Sequence, residues 1–152
     1  MIYKEEKRDL FTVPEHYYLV QCISADFAMN TGIALEFNTR FDTKNKTKKA
    51  YPNYFKEEWY SPVKDVNPHG DCIRVERVFN LVTNRKYWQA PTILSVREAL
   101  RALCLYCENE NIKYLAMPKI GCGLNKFKWD FISQLIKDTF KDTDIEILVC
   151  YL

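Results

Sequence analysis

The chain has 152 residues, 47% apolar and 28% charged, the composition of one globular domain over residues 1–152, which excludes disordered and collagen-like classes. Its 22 basic residues stand against 20 acidic ones, a net charge of +2, so no whole-molecule field draws it to nucleic acid. No apolar run is long enough to span a membrane. The opening Met1-Ile2-Tyr3-Lys4-Glu5-Glu6-Lys7 has charges where a signal peptide carries its apolar core, so the expectation is a cytoplasmic protein.

In chain order, residues 2–9 are short and mixed and read as a strand ending at Asp9-Leu10-Phe11. The aromatic and β-branched run Tyr17-Tyr18-Leu19-Val20-Gln21-Cys22-Ile23 predicts a buried strand that stops at Ser24. A polar loop follows, Ser24-Ala25-Asp26 and then Met29-Asn30-Thr31-Gly32, after which Ile33, Leu35-Glu36-Phe37 and Phe41 suggest a short helix. Residues 42–57 show no clear period. From Glu58 to Thr83 the pattern gives strand pieces interrupted by Asn67-Pro68-His69-Gly70-Asp71, ending in one strand from Ile73 to Val82.

Ile93, Val96, Leu100, Leu103 and Cys107 fall on one face of a 3.6-residue period, which predicts a strong helix, with Thr92 placed to cap it. Tyr114 to Met117 reads as a strand held extended by Pro118. A second helix is expected from about Trp129 to Lys141, with Phe131, Ile132, Leu135, Ile136 and Phe140 turned inward. The closing run from Ile145 to Leu152 is nearly all apolar, as in a strand covered on both faces. Strands alternating with helices make this an α/β layer fold.

Six cysteines stand at 22, 72, 104, 107, 122 and 150. Cys104 and Cys107 lie inside a helical pattern with no second pair at metal-ligand spacing, so buried reduced thiols are expected rather than a zinc site. The basic run Lys44 to Lys49 suits either a phosphate-backbone contact or a solvated loop.

Glycine is scarce, four in all, yet two fall within three residues in Met117-Pro118-Lys119-Ile120-Gly121-Cys122-Gly123-Leu124-Asn125. That segment leaves a strand and precedes a helix. Glycines there allow a sharp turn that brings backbone N–H groups against an anion, although a plain tight turn is an equal reading. Gly32 closes the other strand-to-helix loop, after Ser24. Two such loops at one sheet edge form the crevice in which open α/β folds bind ligands.

The segment from Met117 to Asn125, continued by Lys126-Phe127-Lys128-Trp129, resembles the second phosphate loop of macro domains, in particular the branch that includes terminal ADP-ribose protein glycohydrolase. Arg8-Asp9-Leu10-Phe11, Cys22-Ile23-Ser24, Gly32-Ile33-Ala34, Leu81-Val82-Thr83, Pro91-Thr92 and the end from Thr143 to Leu152 are similar to further pieces of that family. The resemblance implies a three-layer α/β/α macro domain with a central mixed sheet, and an ADP-ribose pocket. It implies that Asp9, Leu10 and Leu152 hold the adenine end. Ser24, Gly32 and Ile33 then belong to the first loop, and Lys119, Ile120, Gly121, Cys122, Gly123, Leu124 and Asn125 surround the diphosphate and distal ribose. Asp9 alone also reads as a cap or turn residue.

In the hydrolytic branch a lysine follows the Leu/Ile-Thr strand end and attacks the distal ribose, and an aspartate after Gly-Cys-Gly-Leu moves the protons. Here those positions are Asn84 and Asn125. Losing an acid–base group costs ~10²–10⁴ in rate, and losing the amine removes the covalent route. Lys86 and Asp26 are the nearby alternatives, each also readable as a surface or loop residue. The expectation is therefore a monomer, without cofactor or metal, that recognises ADP-ribose or an ADP-ribosylated macromolecule and neither membrane nor nucleic acid. The alternative is an ADP-ribosyl hydrolase using a non-lysine mechanism.

Overall fold

The computed structural model describes residues 1–29, 32–54, 70–120 and 127–152. Its strands are β1 (Ile2–Lys7), β2 (Tyr18–Ser24), β3 (Asp71–Val75), β4 (Val78–Asn84), β5 (Tyr114–Met117) and β6 (Glu146–Tyr151). Its helices are α1 (Gly32–Phe41), α2 (Thr43–Ala50), α3 (Ile93–Asn109) and α4 (Trp129–Phe140). The strands form one sheet in the order β1-β6-β5-β2-β4-β3. Every neighbouring pair is parallel except β3 on β4.

The connections set the layers. From β2 the chain moves toward β4, whereas from β4 through β5 to β6 it moves the opposite way along the sheet. Right-handed crossovers therefore put α3 and α4 on one face and α1 and α2 on the other. Side-chain packing agrees: Val20, Leu115 and Ile147 join the α3 and α4 cluster, and their neighbours Leu19, Ala116 and Leu148 pack with Phe37 of α1. With both faces covered, the inner strands β2, β5 and β6 are mostly apolar, whereas the edge strand β1 is mixed and exposed, and the architecture is the expected three-layer α/β/α with a mixed sheet.

Local chemistry explains the strongest element. Thr92 Oγ1 accepts from Ser95 N at 3.0 Å and Ser95 Oγ accepts from Thr92 N at 3.0 Å, a reciprocal cap that satisfies two donors at the start of α3. Leu100, Leu103 and Cys107 are fully buried along its inner face. Gly70 enters β3 hard against this helix: a Cβ there would lie 1.8 Å from Ser95 O. Its N–H donates to Glu98 Oε2 at 2.9 Å.

Four expectations are corrected. The stretch read as aperiodic contains α2, whose inward face is Thr43 and Thr47, 2% and 0% exposed, so no apolar period marks it. Asp42, at φ 52°, separates it from α1. The single strand expected from Ile73 to Val82 is a hairpin turning at Glu76 and Arg77. Glu76 takes φ 53° without being glycine, so the usual hairpin signal is missing. The first strand ends at Lys7, and Leu10–Thr12 form a 3-10 turn. Phe131, expected inward, is 48% exposed because Ile132 and Ile136 fill the inner face of α4.

Candidate functional site

The carboxyl ends of β1, β6, β5, β2 and β4 stand side by side, an edge of about 19 Å at the usual strand spacing. The chain leaves β5 on the α4 side and β2 on the α1 side, so the crevice of a doubly wound sheet falls between those two ends.

At the β1 end, Arg8 N donates to Tyr151 O at 2.9 Å, which extends the pairing of β1 with β6 by one bond past Lys7. Asp9 Oδ1 accepts from Phe11 N at 3.0 Å and caps the 3-10 turn. Its Oδ2 has no partner among the described residues. Leu10 is buried with Phe37, whereas Leu152 is 92% exposed. At the β5 end, Lys119 Nζ sits 4.6 Å from the Tyr151 ring centre and 5.9 Å from that of Trp129, within cation–π range of both. Ile120 is buried in the α3 and α4 core. Gly121, Cys122, Gly123, Leu124 and Asn125 lie outside the described residues.

The ends of β2 and β4 are tied together. Ala25 N donates to Asn84 O at 2.8 Å and Asp26 N to Arg85 O at 3.0 Å, which prolongs the ladder past both strands. Asp26 then closes the gap. Its Oδ1 accepts from Ser24 Oγ at 2.5 Å and Ala28 N at 3.3 Å, and its Oδ2 from Tyr87 N at 3.2 Å. Phe27 and Met29 take φ 55° and 47°, left-handed values that cost about 1–3 kcal/mol at a non-glycine residue. Burial of both side chains, with Phe27 stacked 5.4 Å from Tyr54, offsets that strain. Gly32 opens α1 at φ +60°, and a Cβ there would meet nothing within 4 Å among the described residues. Ile33, half-buried, packs with Phe37.

Asn84 ends β4 with its amide fully engaged. Nδ2 donates to Lys86 O at 2.7 Å and Gln89 O at 3.0 Å, and Oδ1 accepts from Thr83 Oγ1 at 3.0 Å. Lys86 N donates to Gln89 Oε1 at 3.0 Å. The tip of this clamped loop carries Tyr87 and Trp88, 66% and 64% exposed.

The structure thus brings Asp9, Leu152, Lys119, Ser24, Gly32 and Asn84 to one sheet edge. Sequence reasoning missed the tie from Asp26 to Tyr87 and the clamp made by Asn84, because an Asn or Asp in a loop has no period that announces its partner. Cys150, at the end of β6, has its thiol pushed up to about 11, chiefly by burial, and so is no nucleophile at neutral pH. Among the described residues no group of three or more His, Cys, Asp or Glu side chains could hold a metal ion. A cleft of about 380 Å³ between α3 and α4, lined by Arg97, Arg101, Leu105 and Leu135 among others, lies on a helical face away from this edge. No helix among the described residues is long and apolar enough to cross a membrane.

No family model matches the chain. It is 31% identical over 151 residues to ADP-ribose glycohydrolase OARD1 of Bos taurus, covering 94% of this chain and 87% of the relative. The Homo sapiens protein of that name is 30% identical over the same shares. Among solved structures, the macrodomain of Thermus aquaticus DarG superposes with a TM-score of 0.77 at 18% identity over 99% of both chains. Thermosipho africanus DarTG, solved in complex with ADP-ribose, gives 0.65 at 17% identity over 98% of this chain and 41% of that one. The fold is therefore that of a macro domain, and by identity and coverage the chain belongs to the family of ADP-ribose glycohydrolase OARD1.

Proposed function

We propose that the chain binds ADP-ribose, free or attached to a macromolecule, along the carboxyl edge of its parallel strands. The observation that carries this reading is the order of the expected contacts along that edge. Asp9, Leu10 and Leu152 at the β1 and β6 ends take the adenine, with Asp9 Oδ2 placed to accept from its amino group. The diphosphate lies at the switch point beyond the ends of β5 and β2, with Lys119 and the backbone around Ser24, Gly32 and Ile33 on it. The distal ribose then extends toward Asn84. Each hydrogen bond to a charged oxygen contributes roughly 1.5–3 kcal/mol, so a few backbone N–H groups hold a diphosphate without strong net positive charge. Relatives named ADP-ribose glycohydrolase, and a structural neighbour solved with ADP-ribose, support the choice of ligand. Calorimetry with ADP-ribose against ADP and ribose tests it. Tighter binding of ADP-ribose than of either fragment is expected, and absence of heat at high micromolar concentration overturns it.

The names of the relatives favour a second reading, in which the same pocket releases ADP-ribose from a modified target. Asn84 is not an amine and its hydrogen bonds are spent within its own loop, so turnover would run through water instead. Release of ADP-ribose from a glutamate-modified substrate, falling in Asn125→Ala by more than the accompanying loss of ADP-ribose affinity, would establish it. A substrate left intact over hours would leave binding alone.

A further inference from the structure

From the hydrogen bonding of residues 84–89 we infer that Tyr87 and Trp88 form a separate subsite, which takes a planar ring carried on the distal ribose of ADP-ribose. The inference rests on the ligand orientation proposed above. With adenine at the β1 end and the diphosphate between β5 and β2, the distal ribose approaches the end of β4, and whatever is bonded to its anomeric carbon meets the loop after Asn84.

Two features of that loop are unusual together. Its backbone is fixed from four directions. Asn84 Nδ2 holds the carbonyls of Lys86 and Gln89, Gln89 holds Lys86 N through its side chain, and Gln89 N returns to Lys86 O at 3.0 Å. Asp26 of the neighbouring loop holds Tyr87 N. The tip of this held loop leaves Tyr87 and Trp88 at 66% and 64% exposure. Among the described residues the other exposed large apolar side chains lie on helices, on strands or at the C-terminus. An aromatic pair on a pre-ordered backbone offers broad π faces with little ordering entropy left to lose on binding, the arrangement that favours stacking on a flat group. A saturated group of the same size gains from area alone.

Three ligands separate these terms: ADP-ribose, its 1″-O-benzyl glycoside and its 1″-O-cyclohexylmethyl glycoside, each titrated calorimetrically into the wild-type chain and into Trp88→Ala and Tyr87→Ala. The benzyl glycoside is expected to bind roughly threefold to tenfold more tightly than the cyclohexylmethyl one, the weight of one stacked aromatic pair. Trp88→Ala or Tyr87→Ala should erase that preference and leave the affinity for ADP-ribose within about twofold. Thermal melts of the variants confirm folding, which substitution at such exposed positions should not disturb. Equal affinities for the two glycosides in the wild type, or an unchanged preference in both variants, overturn the inference. Failure of ADP-ribose itself to bind strikes at the proposed function instead, so the two readings fail separately.

Discussion

Replacing Asn84 by aspartate changes almost no volume but removes the donor of two hydrogen bonds. In the wild type, Nδ2 donates to Lys86 O at 2.7 Å and Gln89 O at 3.0 Å. A carboxylate in the same place loses both donations, at about 1 kcal/mol each, and sets a negative oxygen against two carbonyl oxygens. Asn84 is only partly buried, so water screens part of that repulsion, and a total of about 2–4 kcal/mol is expected. For a chain of this size that lowers Tm by about 6–12 °C. Asn84→Ala should cost less, about 1–2 kcal/mol, because it leaves the two carbonyls to solvent without opposing them. The pH dependence has a definite sign. The carbonyls raise the introduced carboxyl's pKa in the folded state above its unfolded value near 3.9. Its protonated form donates, so the deficit relative to wild type is small below that unfolded value and grows as pH rises through the folded one. Thermal unfolding of both variants between pH 3 and 8 measures this. A Tm for Asn84→Asp within 2 °C of wild type at neutral pH, or an alanine variant less stable than the aspartate one, would refute the clamp.

Gly70→Ala should destabilise by about 3 kcal/mol or more, because its methyl would lie 1.8 Å from Ser95 O and 2.8 Å from Ala99 N, backbone atoms of α3 that cannot move aside; an unchanged urea midpoint would contradict the close approach. Thr47 is fully buried and its Oγ1 has no partner among the described residues, so Thr47→Val should stabilise by about 1 kcal/mol, and a lower midpoint would count against this. Burial pushes the Cys104 and Cys107 thiols up to about 12. Unfolded cysteines ionise near 8.5, so these thiols' contribution to stability is complete below that pH and falls between there and about 12; native-state alkylation at pH 8 should be slow, and rapid modification of either would refute it.

The legible parts of the fold are those where burial repeats at a fixed period. α3 follows from Val96, Leu100, Leu103 and Cys107 with Thr92 before them, and β2, β5 and β6 follow from apolar runs that both faces of the sheet require. What escaped was structure held by polar atoms. The inner face of α2 is two threonines, and Thr43 Oγ1 is satisfied by Phe37 O at 3.1 Å rather than by apolar neighbours. The turn between β3 and β4 uses Glu76, steadied by an ion pair with Lys46 at 3.1 Å, where a glycine would have announced it. At the candidate site the positions of Asp9, Ser24 and Asn84 were legible because each ends or follows a strand, and strand ends lie at one edge by topology. The bonds those side chains make were not, since the partners of Asp26 and Asn84 come from a loop that no apolar pattern describes.

Those bonds bear on the choice between binding and turnover. An amine attacks carbon through its lone pair and must be neutral to do so, whereas Lys86 O and Gln89 O accept hydrogen bonds and favour an ammonium. A lysine introduced by Asn84→Lys would either donate to those carbonyls, charged and unreactive, or leave the loop without its clamp. Introducing the amine alone is therefore expected to give no turnover, even with Asn125→Asp beside it, unless the loop of residues 84–89 is re-formed as well. Binding makes no such demand, because it needs only backbone N–H groups and a shaped edge. On the proposed reading Asp26 and Asn84 serve the ligand edge as structural ties, so affinity for a nucleotide diphosphate does not depend on the covalent route, because these residues spend their hydrogen bonds on the backbone.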